Sequence, residues 1–294
     1  MMYSLDEILY GIRRPALLFR QLNRIPARNS MAGIEVFDQD WDNLVVLDAC
    51  RYDYFTELCD IDGTLQKQVS SGSATREWVE ANFNQPLYDT VYVTANGWFL
   101  QLGLGDNLHA YVSLHDEEYR NDVGTVPPDL VTEAAIDAAG EYPNKRLVVH
   151  YVQPHAPYMG PTGREYFGDV RGMNIHDMLR DIDAPTKEKV AKLRTAYREN
   201  LQLVLDDVNT LLDAVDGKTV VTADHGELLG ERHLTLPFRE YGHPTGIRVP
   251  ELIEVPWLVC ESDDRRRIVS EKSDHERTES MEEVESLLQD LGYR

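Results

Sequence analysis

Several short apolar runs in this chain each give out at a polar residue, and their alternation with helical stretches constrains the fold more than any other feature. Asn43–Leu47 ends at Asp48, and Thr90–Thr94 ends near Asn96. Leu147–Val152 ends at Gln153-Pro154-His155, and Thr219–Thr222 passes through Ala223 to Asp224-His225. Runs this short, apolar and rich in β-branched residues read as buried strands. A helical pattern covers Thr75–Phe83, and a long one covers Thr186–Val215, with Leu193, Tyr197, Leu201, Val204 and Val208 on one stripe. Pro250–Cys260 holds a further apolar run. Strands alternating with helices predict an α/β fold with a mainly parallel central sheet flanked by helices. Such a sheet gathers the carboxyl ends of its strands at one edge, where ligands bind.

At 294 residues with 42% hydrophobic content, the chain can bury a full core. We read residues 31–294 as a single domain preceded by a basic segment, residues 1–30. The formal net charge is -22, and lysine is scarce: 7 lysines against 22 arginines. That balance fits a high-salt cytoplasm, where screening tames self-repulsion. It repels nucleic acid, and no basic stripe with interleaved aromatics offsets it. Cys50, Cys59 and Cys260 are too sparse and odd in number for a disulfide framework, which fits a reducing, cytoplasmic compartment. Neither a signal peptide nor a membrane-spanning apolar run is evident. Residues 1–30 break the charge pattern, with five arginines against Asp6 and Glu7, interleaved with leucines. This segment either lies peripherally on an anionic membrane, or docks on the acidic domain or contacts a partner, and Pro15 favours the latter readings by interrupting its helix. Residues 261–280 read as a solvated loop, and Met281–Leu291 as a short helix stopped by Gly292.

Four stretches carry candidate chemistry. Asp224 and His225 pair a hard oxygen donor with an imidazole at a strand's end, a set suited to Zn²⁺ or Mn²⁺; an ordinary helix cap with a polar neighbour is the alternative. Asp48 is either a cap or a ligand, and Arg51 either binds an anionic ester or pairs with Asp48 or Asp53. The run Ser70-Ser71-Gly72-Ser73-Ala74-Thr75 opens a helix, so its hydroxyls serve a phosphate or sulfate there or simply cap the helix. Prolines flank His155 in Pro154-His155-Ala156-Pro157-Tyr158, and Pro244 follows His243; both imidazoles sit in stiff loops. His150, inside a strand, reads as packed. His109, His115, His176, His233 and His275 have no evident partner in sequence.

Taken together and in this order, Asp48, the Pro-His-Ala-Pro-Tyr segment, Asp224-His225-Gly226-Glu227 and the ending Leu287-Leu288-Gln289-Asp290-Leu291-Gly292-Tyr293 resemble the sulfatase-like branch of the alkaline phosphatase superfamily, over about residues 43–294. The resemblance implies that Asp48, Asp224 and His225 are metal ligands. It implies that Thr75 is the nucleophile and also contacts the metal, with Ser73 the alternative hydroxyl. His155 and His243 are similar to histidines that hold the ester oxygens or the leaving group, and Arg51 and Ser73 remain candidate substrate contacts.

Two departures shape the expected activity. Sulfatases of this branch need Cys-x-Pro-x-Arg or its serine version for formylglycine, but Cys50 is followed directly by Arg51 and Cys59 by Asp60-Ile61-Asp62. Two-metal members show Asp-x-x-x-His where this chain has Gln153-Pro154-His155, which implies one divalent ion, Zn or Mn, rather than two. The expectation is a metal-dependent phosphoester hydrolase or phosphotransferase acting on a small-molecule, lipid or glycan phosphoester. The rivals are a formylglycine-free hydrolase of sulfated glycans and a catalytically silent member that binds metal or glycan.

Overall fold

The computed structural model describes residues 33–168, 186–232 and 239–272. The basic segment 1–30, His176, His233, His275, and the expected helix and ending of residues 281–293 lie outside the described residues. β1 (Asn43–Leu47), β2 (Thr64–Val69), β3 (Leu87–Thr94), β4 (Leu108–Ser113), β5 (Arg146–Tyr151), β6 (Thr219–Ala223) and β9 (Glu254–Cys260) form one sheet. Its order is β2-β9-β6-β1-β5-β3-β4. β1 pairs parallel with β5 and β6, and β3 pairs parallel with β4 and β5. β9 runs antiparallel to both of its neighbours. β7 (Leu228–Arg232) and β8 (Arg239–Gly242) make a separate antiparallel ribbon. The expected α/β architecture with a mainly parallel sheet is what the chain adopts.

Period-two alternation along β1 splits the core into two layers. Val45 and Leu47 face a cluster that includes Leu201, Val204 and Val208 of helix α4 (Lys187–Ala214) and Val131 and Ala135 of helix α3 (Pro128–Glu141). Leu44 and Val46 face an aromatic layer of Trp41, Trp78, Phe83, Tyr92 and Phe99. Tyr92 and Phe83 pack against Phe99 at ring-centroid distances of 4.9 and 5.5 Å, both edge to face. The stripe read from sequence is the buried face of α4, which spans ~42 Å at the α-helical rise. Thr186 caps that helix by accepting from Lys189 N at 3.1 Å.

Register brings the strand ends level. Leu47 lies opposite both Tyr151 and Ala223, and Thr94 lies opposite His150. Asp48, Asn96, the loop after β5 and Asp224 therefore leave the sheet at one edge. The Pro250–Cys260 run divides into a short helix α5 (Pro250–Ile253) and β9. Residues 261–272, expected as a solvated loop, are fastened along the opposite, amino-terminal edge. There Arg265 pairs with Asp40 and Asp42, Lys145 Nζ donates to Val269 O at 2.8 Å, and Val269 N donates to Asn144 O at 2.9 Å. Among the described residues no helix is long and apolar enough to cross a membrane.

Candidate active site

Asp224 and His225 follow β6 without a break, and Gly226 lets the chain turn away at once. A Cβ on Gly226 would lie 2.1 Å from Glu251 O, while its own N–H donates to Leu252 O at 2.8 Å, so only glycine fits this approach. Asp224 is pinned through one oxygen: Oδ1 accepts from Ala49 N at 3.1 Å and His225 N at 2.8 Å. Its Oδ2 is buried without a hydrogen bond. Ser70 adds a hydrogen bond from its hydroxyl to Asp224 O, tying the Ser/Gly-rich loop to this turn.

His225 Nδ1 lies 2.8 Å from Gly226 O. A carbonyl only accepts, so Nδ1 carries the proton and Nε2 offers its lone pair. That nitrogen is 3.1 Å from Thr75 Oγ1, 3.4 Å from Asp224 Oδ2 and 3.6 Å from Asp48 Oδ1. Thr75 is the first residue of helix α2 (Thr75–Asn82), and its hydroxyl is 3.5 Å from Asp48 Oδ1. Asn96 holds the other carboxylate oxygen of Asp48 at 2.9 Å. Asp48 is aimed by a turn whose next residue, Ala49, has φ 61. Such a left-handed conformation is disfavoured for alanine and needs support. Tyr197 of α4 supplies it, donating to Ala49 O at 2.7 Å and accepting from Arg51 N at 2.9 Å.

A second group adjoins the first. His155 Nε2 lies 3.0 Å from His243 Nε2 and 3.9 Å from Glu227 Oε2, and the rings of His243 and His225 are 4.5 Å apart. His155, Glu227 and His243 offer three donor atoms within 4.8 Å of one another, as do Asp48, His150 and Asp224. Burial first, then the neighbouring Asp224 and Glu227 charges, pushes the Asp48 carboxyl well above its ordinary range. Burial likewise raises Glu227, against the lowering effect of Arg51. Burial and His225 bring His155 down to about 4, so it is neutral near pH 7. A close set of buried acids is costly unless a cation joins it. The orphaned Asp224 Oδ2 and the inward lone pair of His225 fit a divalent ion. Three oxygens and one nitrogen, from Asp48, Thr75, Asp224 and His225, are a donor set for Zn²⁺ or Mn²⁺.

Two expected substrate contacts have other occupations. Arg51 binds Asp53 through Nε and Nη2 at 2.9 and 2.7 Å, Glu231 through Nη1 at 2.6 Å, and Glu227 O at 3.2 Å. Its pairing with Asp53 is one of the two readings open in sequence; the structure adds Glu231 and turns the guanidinium into a brace for the turn holding Glu227. Ser73 Oγ is 2.9 Å from Glu77 Oε2 and accepts from Gly246 N at 2.9 Å and Ile247 N at 3.2 Å. It clamps the loop carrying His243 to the start of α2, whereas Thr75, two residues on, faces the acids. Sequence reasoning gave no role to Glu227, although it closes the Asp-His-Gly-Glu turn, or to Asn96, noted only as the end of a strand. Gln153, the residue standing where two-metal members show Asp, donates from Nε2 to Val126 O at 2.9 Å, and Glu227 Oε2 lies 3.9 Å from His155 Nε2.

No model of a known protein family matches the chain, and no curated protein matches it. Solved structures do. The C-terminal periplasmic domain of EcEptC from Escherichia coli, in complex with Zn, superposes with a TM-score of 0.51 at 14% identity, covering 75% of this chain and 72% of that one. The soluble domain of lipooligosaccharide phosphoethanolamine transferase A from Neisseria meningitidis matches at TM-score 0.47 and 14% identity, over 75% of this chain and 76% of that one. The phosphonate monoester hydrolase SpPMH from Silicibacter pomeroyi matches at TM-score 0.48 and 14% identity, over 85% and 72%. At 14% identity this likeness shows the fold alone: the chain shares the fold of the EcEptC periplasmic domain.

Proposed function

We propose that this chain is a metal-dependent phosphoester hydrolase or phosphotransferase with Thr75 as its nucleophile. The observation that carries the reading is the position of Thr75 Oγ1 at a helix start, 3.1 Å from the free nitrogen of His225 and 3.5 Å from Asp48, beside the orphaned oxygen of Asp224. Asp48, Thr75, Asp224 and His225 would hold one divalent ion, Zn or Mn. Bound there, the ion would lower the pKa of the Thr75 hydroxyl and offset charge on the phosphoryl oxygens. Thr75 Oγ1, its proton released to solvent, attacks phosphorus; the new P–O bond forms in line, and the ester oxygen leaves with its electron pair. The start of a helix such as α2 presents backbone N–H groups that would favour the phosphoryl anion there. His155 Nε2 and His243 Nε2, 3.0 Å apart, share one proton between them. That proton is available to a phosphoryl oxygen or to the departing alkoxide. Water or an acceptor alcohol then attacks the phosphothreonine and releases the enzyme. His155, Glu227 and His243 offer donors close enough for a further ion.

The substrate class that fits is a small-molecule, lipid or glycan phosphoester. Aryl phosphate, phosphodiester and aryl sulfate turnover by the wild type, Thr75→Ala and Asp224→Ala tests the reading. Hydrolysis of the phosphate esters, lost in both variants, together with phosphate trapped on Thr75 by mass spectrometry, is expected. Full turnover by either variant, or turnover of the sulfate ester alone, overturns it.

A further inference from the structure

His150 is the residue of this site that its sequence context hides most completely. It sits one residue before the end of β5, opposite Thr94 of β3 and Val46 of β1. Its side chain is 0% exposed, and the rings of Trp78 and Tyr92 pack on it at centroid distances of 5.6 and 6.1 Å. A phenyl ring would serve such packing equally well. What a phenyl ring lacks is the Nε2 atom, which is buried, makes no hydrogen bond, and faces Asp224 Oδ2 at 3.7 Å. That span is too long for a hydrogen bond. It is the span of two atoms bound to one cation: ligands at ~2.1 Å from an ion stand roughly 3.0–3.7 Å apart at angles between right and tetrahedral or slightly wider.

The other face of the ring decides which nitrogen carries the proton. Nδ1 lies 2.7 Å from Tyr92 Oη. Tyr92 and Thr94 share one face of β3. Thr94 Oγ1 lies 3.3 Å from Asn96 O and accepts from Asn96 N at 2.9 Å, while Asn96 Nδ2 holds Asp48. With Nδ1–H donated to the phenol oxygen, Nε2 keeps its lone pair toward Asp224. With the phenol donating to Nδ1 instead, a buried Nε2–H is left with Asp224 Oδ2 at 3.7 Å, too far to accept it, which is unfavourable.

We propose that His150 Nε2 is a further ligand of the divalent cation held by Asp48, Thr75, Asp224 and His225, and that Tyr92 is the partner that fixes its tautomer. Liganding histidines commonly donate their second N–H to a buried acceptor in this way. The inference rests on the metal-dependent reading of the site and adds a ligand that fold and motif do not assign. β3 and the turn that follows it then serve two ligands, His150 through Tyr92 and Asp48 through Asn96.

The test is zinc binding to the full chain labelled with ¹⁵N-histidine, read by two-bond ¹H–¹⁵N correlation and by competition with a chelator. On one equivalent of Zn²⁺, the His150 signal, assigned by its loss in His150→Gln, is expected to move to a metal-bound Nε2 with Nδ1 protonated. Zinc affinity should fall on the order of 10–100-fold in His150→Gln, and several-fold in Tyr92→Phe. Should His150→Gln fail to fold, Tyr92→Phe, which leaves the imidazole in place, carries the reading. Zinc binding with the His150 ring signals unmoved, or with both variants as tight as wild type, overturns this proposal and leaves the metal-dependent reading standing if Asp224→Ala abolishes binding. A wild-type chain that takes up no zinc overturns both.

Discussion

Ser73→Ala tests which hydroxyl takes part in the covalent step, because Ser73 and Thr75 stand two residues apart and do different work. Ser73 Oγ is fully buried and accepts from Gly246 N at 2.9 Å and Ile247 N at 3.2 Å. Its own proton goes to Glu77 Oε2 at 2.9 Å. Alanine leaves those two amides without their acceptor, although Ile247 N retains a second one, Pro244 O at 3.3 Å. Glu77 Oε2 keeps the Ser73 N–H at 2.8 Å. One amide is fully orphaned and one is half satisfied. At about 1–3 kcal/mol for an orphaned buried donor, the expected loss is about 2–3 kcal/mol of unfolding free energy. Guanidinium denaturation with a fixed m-value reads it. The loop freed by the change carries His243, so turnover should fall too, by as much as ~10²-fold if the imidazole shifts by an ångström. The phosphoenzyme should still form, and peptide mapping should place it on Thr75. Thr75→Ala should do the reverse, abolishing the phosphoenzyme with little change in stability. Ser73→Ala protein that keeps wild-type stability and yields no phosphoenzyme would refute the assignment and make Ser73 the nucleophile.

Three further perturbations follow from the same geometry. Asp207, half-buried on α4, is held up at about 6, first by burial and then by Asp129 and Asp206. Its folded value exceeds its unfolded one, so the penalty grows between about pH 4 and 6 and is constant above. Asp207→Asn should therefore stabilise the protein by about 1–2 kcal/mol at pH 7–8, after discounting for partial exposure, and do nothing below pH 4 in urea titrations. Arg51→Met should cost about 1–3 kcal/mol, because Glu231 loses its buried partner but keeps Arg194 at 3.1 Å, with KM nearly unchanged; a tenfold rise in KM at wild-type stability would restore Arg51 as a substrate contact. Removing divalent metal with EDTA should lower the unfolding midpoint, and zinc at 100 times its dissociation constant should return about 2.7 kcal/mol; identical melts in EDTA and zinc would argue against any cation site.

What could be read in sequence follows from how local each signal is. β1 is legible because five consecutive residues are buried on both faces between two parallel neighbours. β2 is not, because Thr-Leu-Gln-Lys-Gln-Val lies at the sheet's edge and is half-exposed, so its polar composition hides it. α3 escaped for a different reason: its alanine-rich face is short of bulky residues, and the proline that starts it looks like loop chemistry. Within the site, Asp48, Asp224 and His225 are visible because each ends a strand that announces itself. Glu227 stands in the same turn, but nothing local says whether its carboxylate faces His155 or water. His150 reads as core because it is core; only the pairing of β5 with β3 puts Tyr92 on one side of it and an acid on the other. The salt bridge of Arg51 with Glu231 spans 180 positions and leaves no trace in local composition.

The same long-range logic explains how a site of buried acids is held open. Tyr197 and Asn200 lie three residues apart on α4, so they share a face. Tyr197 secures the strained Ala49 turn that aims Asp48. Asn200 donates to His155 O at 3.2 Å and Pro157 O at 3.1 Å and accepts from Met159 N at 2.7 Å, fixing the loop that carries His155. Both side chains are fully buried in the stripe that otherwise packs α4 on the sheet. A single helix face thus packs the core with its leucines and valines and sets two loops of the site with its tyrosine and asparagine. Any shift of α4 against the sheet must move Asp48 and His155 together, so the spacing between the two clusters is a property of core packing rather than of the loops that display them.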